Sequence, residues 1–350
     1  MKSHLSDLIR RDCEEISQQA VTLLQGLRNR KLYVTGGTGF VGTWIAELVT
    51  CLNDEHNFNC GLVLAARDIE SFREKCPHIA SRKDVQLESI DVRTCFEVPD
   101  DVSYLLHAAA SPDNRQHMSN PLVTMETITR GTANVLDSAS KIVGLKKVLI
   151  ASSGQVYGKQ ASATEKISEN LPGTLNCNSI TSVYPEAKRY AETLCCAYWS
   201  SCKLPVVIAR PFSFIGPYQG LDKPWAINNF IRDALMNSPV RIIGSGLPVR
   251  SYMYPSDMAL WFLRIMTDGS AGLAYNVGSP YGISLKDVAE KVLQYSSAAS
   301  DVVLKNMNDD TSVFVPDDTL CRDSLDLTIM VSIDTALKRS LEWYRKSVER

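Results

Sequence analysis

KLYVTGGTGFVG, residues 31–42, carries three glycines three apart, Gly36, Gly39 and Gly42, between a β-like run and an apolar, helix-like run. A phosphate approaches a backbone closely only where no Cβ intrudes. A helix N-terminus adds free N–H groups and the positive end of the dipole. The spacing G-x-x-G-x-x-G therefore reads as a dinucleotide cradle between a strand at 32–35 and a helix at 40–52, with Thr38, Phe40 and Val41 in the same turn. The plainer alternative is a tight β–α turn whose glycines serve packing.

Outward from this loop, apolar runs alternate with helical patterns. Strands are expected at 61–66, 85–90, 103–109, 147–153 and 206–210, and a long helix at about 121–140. Helices near 183–203, 256–267 and 284–297 are expected to return to the main sheet together with strand 206–210. The runs are apolar throughout, as in parallel strands covered on both faces. The expected fold is α/β: a Rossmann-type, doubly wound parallel sheet with a smaller C-terminal substrate lobe. Residues 1–30 form a helical extension, with an amphipathic helix at 4–29. Residues 31–210 form the dinucleotide-binding part. Residues 211–350, rich in Pro–Gly loops, form mainly the substrate lobe.

The 350 residues are 45% hydrophobic and 22% charged, with a net charge of -2. No global basic field points to nucleic acid or to anionic membrane. No stretch approaches the roughly 18 apolar residues of a membrane span, and the charged N-terminus lacks a signal core. The 10 cysteines show no C-x-x-C and no zinc spacing, so reduced thiols, no metal and a cytoplasmic setting are expected.

Strand 61–66 ends in Ala66-Arg67-Asp68, where a dinucleotide's adenosine ribose lies. A carboxylate there favours NAD; a guanidinium suits a 2′-phosphate. Arg67 tilts the reading to NADP, with NAD as the alternative if Asp68 takes the ribose. Asp91-Val92 could meet the adenine edge, or Asp91 could cap a turn.

Ser152 and Ser153 end strand 147–153, and Tyr184-Pro-Glu-Ala-Lys188 opens a helix. Tyr and Lys at i and i+4 share a helical face. An ammonium about 4 Å from a phenol, at an effective dielectric near 20, is worth about 4 kcal/mol, or roughly three pKa units. The positive charge of an oxidised nicotinamide pushes the same way. Tyr184 is then an acid/base near neutral pH, with Ser153 holding the substrate oxygen and Lys188 assisting.

With GGTGFVG, HAAA (107–110), GTANVL (131–136), SSGQVYG (152–158), YPEAK (184–188), RPFSFIGP (210–217), RSYMYPSD (250–257) and NVGS (276–279), the chain resembles an extended short-chain dehydrogenase/reductase of the nucleotide-sugar epimerase/dehydratase family. The resemblance covers roughly residues 31–345. It implies that His107, Ala108, Ala109, Ala151, Ser152, Pro211 and Ser213 line the cofactor and that Lys188 meets the nicotinamide ribose. It places Ser111, Ser153, Gly154, Gln155, Asn228, Asn229 and Arg250 on the substrate side, with Arg250 at a pyrophosphate. It also implies a homodimer built from helix 121–140 and the Tyr184 helix.

Departures from the family pattern narrow the chemistry. Family 4,6-dehydratases carry Asp-Glu where this chain has Gly154-Gln155, and neither of these residues transfers a proton. Decarboxylases acting on UDP-glucuronate often carry Glu at the Gln155 position, which weakens that reading too. Ser213 and Ile128 replace asparagines of the pattern. Reduction of a 4-keto (6-deoxy)hexose nucleotide leads, in the style of dTDP-4-keto-6-deoxyhexose reductases. Redox-neutral 4-epimerisation with tightly held NAD is the alternative. A non-catalytic dinucleotide sensor is a third, outlying reading.

Overall fold

The computed structural model describes residues 2–158, 166–305 and 311–348. Lys31–Thr35 (β1), Gly61–Ala66 (β2), Val85–Ser89 (β3), Tyr104–His107 (β4), Lys147–Ala151 (β5) and Val206–Pro211 (β6) pair in one parallel sheet. After Val240–Ile242 (β7) and Val249–Arg250 (β8), the strand Ala274–Val277 (β9) rejoins it beside β6. The order is β3-β2-β1-β4-β5-β6-β9. Chain direction along the sheet reverses between β1 and β4, so a ligand crevice opens beyond the carboxyl ends of those two strands.

Successive side chains of a strand point to opposite faces. Leu32, Val34, Leu62 and Leu64 enter one core with Lys2–Leu23 (α1) and Phe40–His56 (α2). Tyr33, Val63, Ala65 and Leu105 enter a second core on the opposite face. There they meet Val135, Leu136 and Ala139 and, from the Tyr184 helix, Cys195. Both faces are covered, which is why the strand sequences read as unbroken apolar runs. Edge strand β3 is the exception, with a largely half-exposed VQLES.

The remaining helices are Glu70–Lys75 (α3), Pro77–Ala80 (α4), Asn114–Ser119 (α5), Pro121–Ala139 (α6), Val183–Cys202 (α7), Ala226–Leu235 (α8), Pro255–Asp268 (α9), Leu285–Ser296 (α10), Thr319–Leu325 (α11) and Ile333–Val348 (α12). Helices α7 and α9 pack on the main sheet, which β6 joins. The expectation that helix 284–297 also returns there is corrected: α10 packs on α8, α12 and β7 instead. Two small sheets complete the second lobe. In one, β7 pairs with Val302–Leu304 (β11); in the other, β8 lies between Ile283–Ser284 (β10) and Val313–Phe314 (β12).

The expected 4–29 helix stops at Leu23. Leu24, at φ −107° and ψ 23°, leaves helical geometry, and a 3₁₀ turn follows over Gln25–Leu27. Ile9, Cys13, Ile16, Ala20, Leu24 and Leu27 are nonetheless buried, so α1 is part of the main core. Its Asp12 carboxylate accepts from Tyr254 Oη at 2.5 Å and lies 3.1 Å from the Arg339 guanidinium. These contacts join α1 to α9 and α12. Trp44 of α2 is fully buried, meets Tyr218 and Tyr254 edge-on and donates from Nε1 to the Pro217 carbonyl at 3.0 Å. Such a ring removes about 150–250 Å² from water.

Candidate active site

The loop after β1 uses its glycines differently from one another. Gly36 has φ +71°, and a Cβ there would lie 2.7 Å from the Ala108 backbone at the end of β4. A Cβ on Gly42 would lie 2.4 Å from the Gly37 carbonyl oxygen, and one on Gly37 2.7 Å from Leu64 Cα. These three let the turn form and the helix sit tight on the sheet. Gly39 caps α2, is exposed, and a Cβ there would meet only the Gly36 carbonyl oxygen, at 3.2 Å. The open face of the cradle is therefore at Gly39, with half-buried Thr38, Phe40 and Val41 beside it. A dinucleotide pyrophosphate fits this space, which is bare of side chains and faces a helix N-terminus.

At the end of β2, Arg67 is exposed, while one Asp68 oxygen accepts from the Ser71 N–H at 3.0 Å. Asp91 is gripped by Arg93, whose Nη2 and Nε lie 2.5 and 3.0 Å from it. That guanidinium, with Arg67 as a further cation, holds the Asp91 carboxyl down at about 2. Sequence reasoning passed over Arg93, though a carboxylate and a guanidinium two residues apart are the natural signal. Val92 is buried against Gly131.

Ser153, Tyr184 and Lys188 converge where β5 ends and α7 begins. All three are nearly buried. The Ser153 hydroxyl stands beside the Tyr184 phenol, and its oxygen accepts from the Gln155 N–H at 3.1 Å. Lys188 Nζ donates to the Ala151 carbonyl at 2.6 Å and stands 5.8 Å from the centre of the Tyr184 ring.

The acidity expected from the i,i+4 pair is corrected. Burial beside Ile128, Ala110, Ala187 and Ala191 pushes the Tyr184 phenol up to about 12, against the opposing effect of the Ser153 hydroxyl. Burial likewise brings Lys188 down to about 8, against the nearby Glu192. In an apolar pocket both neutral forms gain, and desolvation outweighs mutual attraction. Ile128, which replaces an expected asparagine, is part of that apolar wall.

Two histidines and a second serine complete the picture. His107 Nδ1 lies 2.7 Å from Thr35 Oγ1, and burial lowers its pKa to about 3. It closes the floor of the crevice between β1 and β4, next to Ala108 and Ala109. Ser152 turns away from Tyr184 and donates to Glu192. Glu192 is held by Arg210 at 2.6 Å, and Arg210 donates to Tyr157 Oη at 2.8 Å. The sequence analysis missed His117: its ring stacks on Tyr184 with centroids 4.2 Å apart and planes within 6°.

On the substrate side, a Cβ on Gly154 would meet Phe314 Cζ at 2.9 Å and the Phe212 ring at 3.1 Å. The position where dehydratases carry an acid is thus closed by two aromatic rings. Gln155 is half-buried. Pro211 ends β6, and the Ser213 carbonyl accepts from the Met253 N–H at 3.0 Å. Exposed Ser111 offers its carbonyl to His117 at 2.7 Å. Asn228 is buried and donates to the Gly220 carbonyl at 2.7 Å, while Asn229 accepts from Arg232 at 2.9 Å. Arg250, half-buried on β8, donates to the carbonyls of Val249 and Ser312 at 2.8 and 2.9 Å. Among the described residues no helix is long and apolar enough to cross a membrane.

The model of the NAD dependent epimerase/dehydratase family matches residues 32–278. UDP-glucuronic acid decarboxylase 1 of Xenopus tropicalis is 27% identical over 330 residues, covering 94% of this chain and 75% of that one. Its Arabidopsis thaliana counterpart is 28% identical over 324 residues, covering 92% and 72%. Among solved structures, UDP-glucose 4-epimerase of Thermotoga maritima with UDP-glucose superposes with a TM-score of 0.77 at 20% identity, covering 91% and 99% of the two chains. Bordetella bronchiseptica WbmF with NAD+ and UDP does so at 0.77 and 21%, covering 93% and 95%.

Proposed function

The chain belongs to the NAD dependent epimerase/dehydratase family, and from that premise we propose that it reduces a 4-keto (6-deoxy)hexose nucleotide, with NADPH as hydride source and Tyr184 as proton donor. At the coarser level it is an NAD-dependent, nucleotide-sugar-modifying enzyme of the extended short-chain dehydrogenase/reductase type. The carrying observation is the meeting of Ser153, Tyr184 and Lys188 in a pocket whose burial keeps the proton on Tyr184. A proton donor needs that form at neutral pH.

The loop from Gly36 to Gly42 would hold the pyrophosphate, and Lys188 the nicotinamide ribose. A dihydronicotinamide held there would supply hydride to the sugar's C4. The Ser153 hydroxyl then orients the C4 oxygen by hydrogen bonding, and Tyr184 O–H gives that oxygen its proton. Arg67, with Asp68 committed to Ser71, favours the 2′-phosphate of NADP. Arg250 and the α8 region would take the substrate's diphosphate side. The same reading has two chains pair through α6 and α7, which expose Leu122, Val123, Met125 and Tyr190. Sedimentation tests that homodimer.

The relatives support a second reading, decarboxylation of UDP-glucuronate. Oxidation at C4 would set the C6 carboxylate β to a ketone, and such an acid loses CO₂ without help from an acidic side chain at position 155. That route starts with Tyr184 as base, which the positive charge of the oxidised nicotinamide would assist.

The test is to denature the purified protein, identify any released dinucleotide, and then follow reduced-nicotinamide absorbance with NADPH or NADH. The substrate panel includes dTDP-4-keto-6-deoxyglucose and UDP-glucuronate. Stoichiometric NADPH oxidation by one keto sugar supports reduction. Resident NAD, with CO₂ released from UDP-glucuronate and no net oxidation, replaces it with decarboxylation. Resident NAD with epimer formation replaces it with epimerisation.

A further inference from the structure

Gly154 directly follows Ser153, and its missing side chain is what admits two rings beside the site. A Cβ at this buried position would lie 2.9 Å from Phe314 Cζ and 3.1 Å from Phe212 Cδ2 and Cε2. Room for Phe212 is made again at Gly278, where a Cβ would lie 2.9 Å from Phe212 Cβ. The two rings pack together, with centroids 4.6 Å apart and planes tilted by 34°. Tyr157 stands beside Phe212 at 6.1 Å between ring centres, and buried Val156 and Ile167 complete the cluster. Phe212 and Phe314 themselves are half-buried, so each keeps carbon surface that a ligand can cover.

This aromatic wall has two chemically marked ends. At one end is Ser153, beside the Tyr184 phenol. At the other is Arg250, the in-register neighbour of Phe314 across the β8–β12 pair. With the C4 oxygen of a sugar at the first end and the diphosphate on its C1 at the second, the wall lies along one edge of the pyranose. Two edges join C4 to C1. One carries the C2 and C3 hydroxyls. The other carries the ring oxygen and C5, with C6 attached. Ring carbon offers a hydroxyl no hydrogen bond, so the hydroxyl-bearing edge turns away from the wall, and C5 and C6 turn toward it.

We propose that Phe212 and Phe314 are specificity-determining residues that seat the C6 methyl group of a 6-deoxyhexose. The inference rests on the reading of Ser153 and Tyr184 as the C4 site and of Arg250 as the diphosphate site. A methyl covers the rings and gives up no hydrogen bond to water. A C6 hydroxyl in the same place exchanges water for carbon, which weakens binding by about ten- to a hundredfold. A C6 carboxylate loses more, because a charge costs more to desolvate than a hydroxyl. The wall therefore also tells apart the two substrates weighed above: a seat for a methyl is a poor seat for a glucuronate.

Binding is read without turnover, because a 4-hydroxy sugar bound beside a reduced dinucleotide has no ketone to reduce. Calorimetric titration of the protein loaded with NADPH or NADH compares dTDP-6-deoxyglucose with dTDP-glucose, and UDP-6-deoxyglucose with UDP-glucose and UDP-glucuronate. The expected result is tighter binding of the 6-deoxy sugar, by at least about tenfold over its C6-hydroxylated partner, with the glucuronate weakest. Phe314→Ser supplies a hydroxyl in place of a ring and should bring each hydroxyl–methyl pair within about threefold. Phe314→Leu keeps the wall apolar and should retain the preference, which separates the chemistry of the wall from a loss of fold.

Equal affinities in every pair, tighter binding of glucose or glucuronate, no measurable binding of any of these sugars, or a preference unchanged in Phe314→Ser overturns the proposal. A preference found in a protein that does not reduce dTDP-4-keto-6-deoxyglucose removes the reductase assignment alone and leaves the methyl seat standing. Reduction of that keto sugar without the binding preference does the reverse.

Discussion

Gly39→Ala separates ligand binding from packing within one loop. The new methyl would meet only the Gly36 carbonyl oxygen, at 3.2 Å, and the residue's φ of −81° suits alanine. The cost to folding is that of replacing a glycine N-cap, about 0.5–1 kcal/mol. A pyrophosphate at the start of α2 would lose close approach to roughly two backbone N–H groups, each worth about 1.5 kcal/mol to a charged ligand. The sum, about 3 kcal/mol, raises the dinucleotide Kd on the order of 100-fold. Gly36→Ala is the contrast. Its left-handed φ costs about 1–2 kcal/mol, and the 2.7 Å collision with Ala108 adds about 1–3 kcal/mol of overpacking. Urea unfolding of the ligand-free proteins, with calorimetric titration of NADPH and NADH, reads both quantities. If Gly39→Ala binds within about threefold of the parent, the pyrophosphate is not held at this helix start and the assignment of the loop is wrong.

Other perturbations probe the rest of the framework. Ile16→Ala in α1 should lower unfolding free energy by about 2–5 kcal/mol, because the side chain is 2% exposed in the main core; a change under 0.5 kcal/mol in urea melts would mean α1 is merely appended. Gly154→Asp should destabilise by about 1–3 kcal/mol through collision with Phe212 and Phe314, and mass spectrometry of its products should show no loss of water from a nucleotide hexose. Arg67→Asp should weaken NADPH at least about tenfold and leave NADH nearly unchanged; equal losses would make Arg67 a surface charge. Asp257 is fully buried, accepts from the Met330 and Val331 N–H groups, and burial raises its carboxyl to about 7. Unfolded, it titrates near pH 4. The folded state thus holds a proton that the unfolded state has released, and this stabilisation is full below about pH 4 and lost as pH rises through about 7. The stability of the parent relative to Asp257→Asn should fall across that window; a flat difference would contradict it.

The alternating elements and the glycine loop were legible because each rests on local chemistry: unbroken apolar strands, and glycines where no Cβ fits. Gly37 escaped notice because its constraint comes from Leu64, on the next strand. The Tyr184–Lys188 spacing foretold their shared face but not their acidity. That is set by Ile128 and Ala110, distant in sequence, which keep water away. His117 meets Tyr184 across a gap no periodicity spans, and it lies on a helix of 6 residues, too short to announce itself. The closure of Gly154 depends on Phe314, which arrives from the second lobe. Long-range packing decided each of these, and a single sequence carries it only implicitly.

The contacts between α1 and α12 have a topological consequence. Arg11 faces Glu342 at 4.0 Å, while Glu15 faces Arg339. One helix therefore runs up as the other runs down, and the pairing carries the start of α1 toward the end of α12. A short flexible tether from one to the other would form a circular backbone without bending either helix. Because closing a loop costs entropy only as the logarithm of its length, new ends could then be opened elsewhere on the ring, leaving the order of strands in the sheet, and the crevice it forms, as they are.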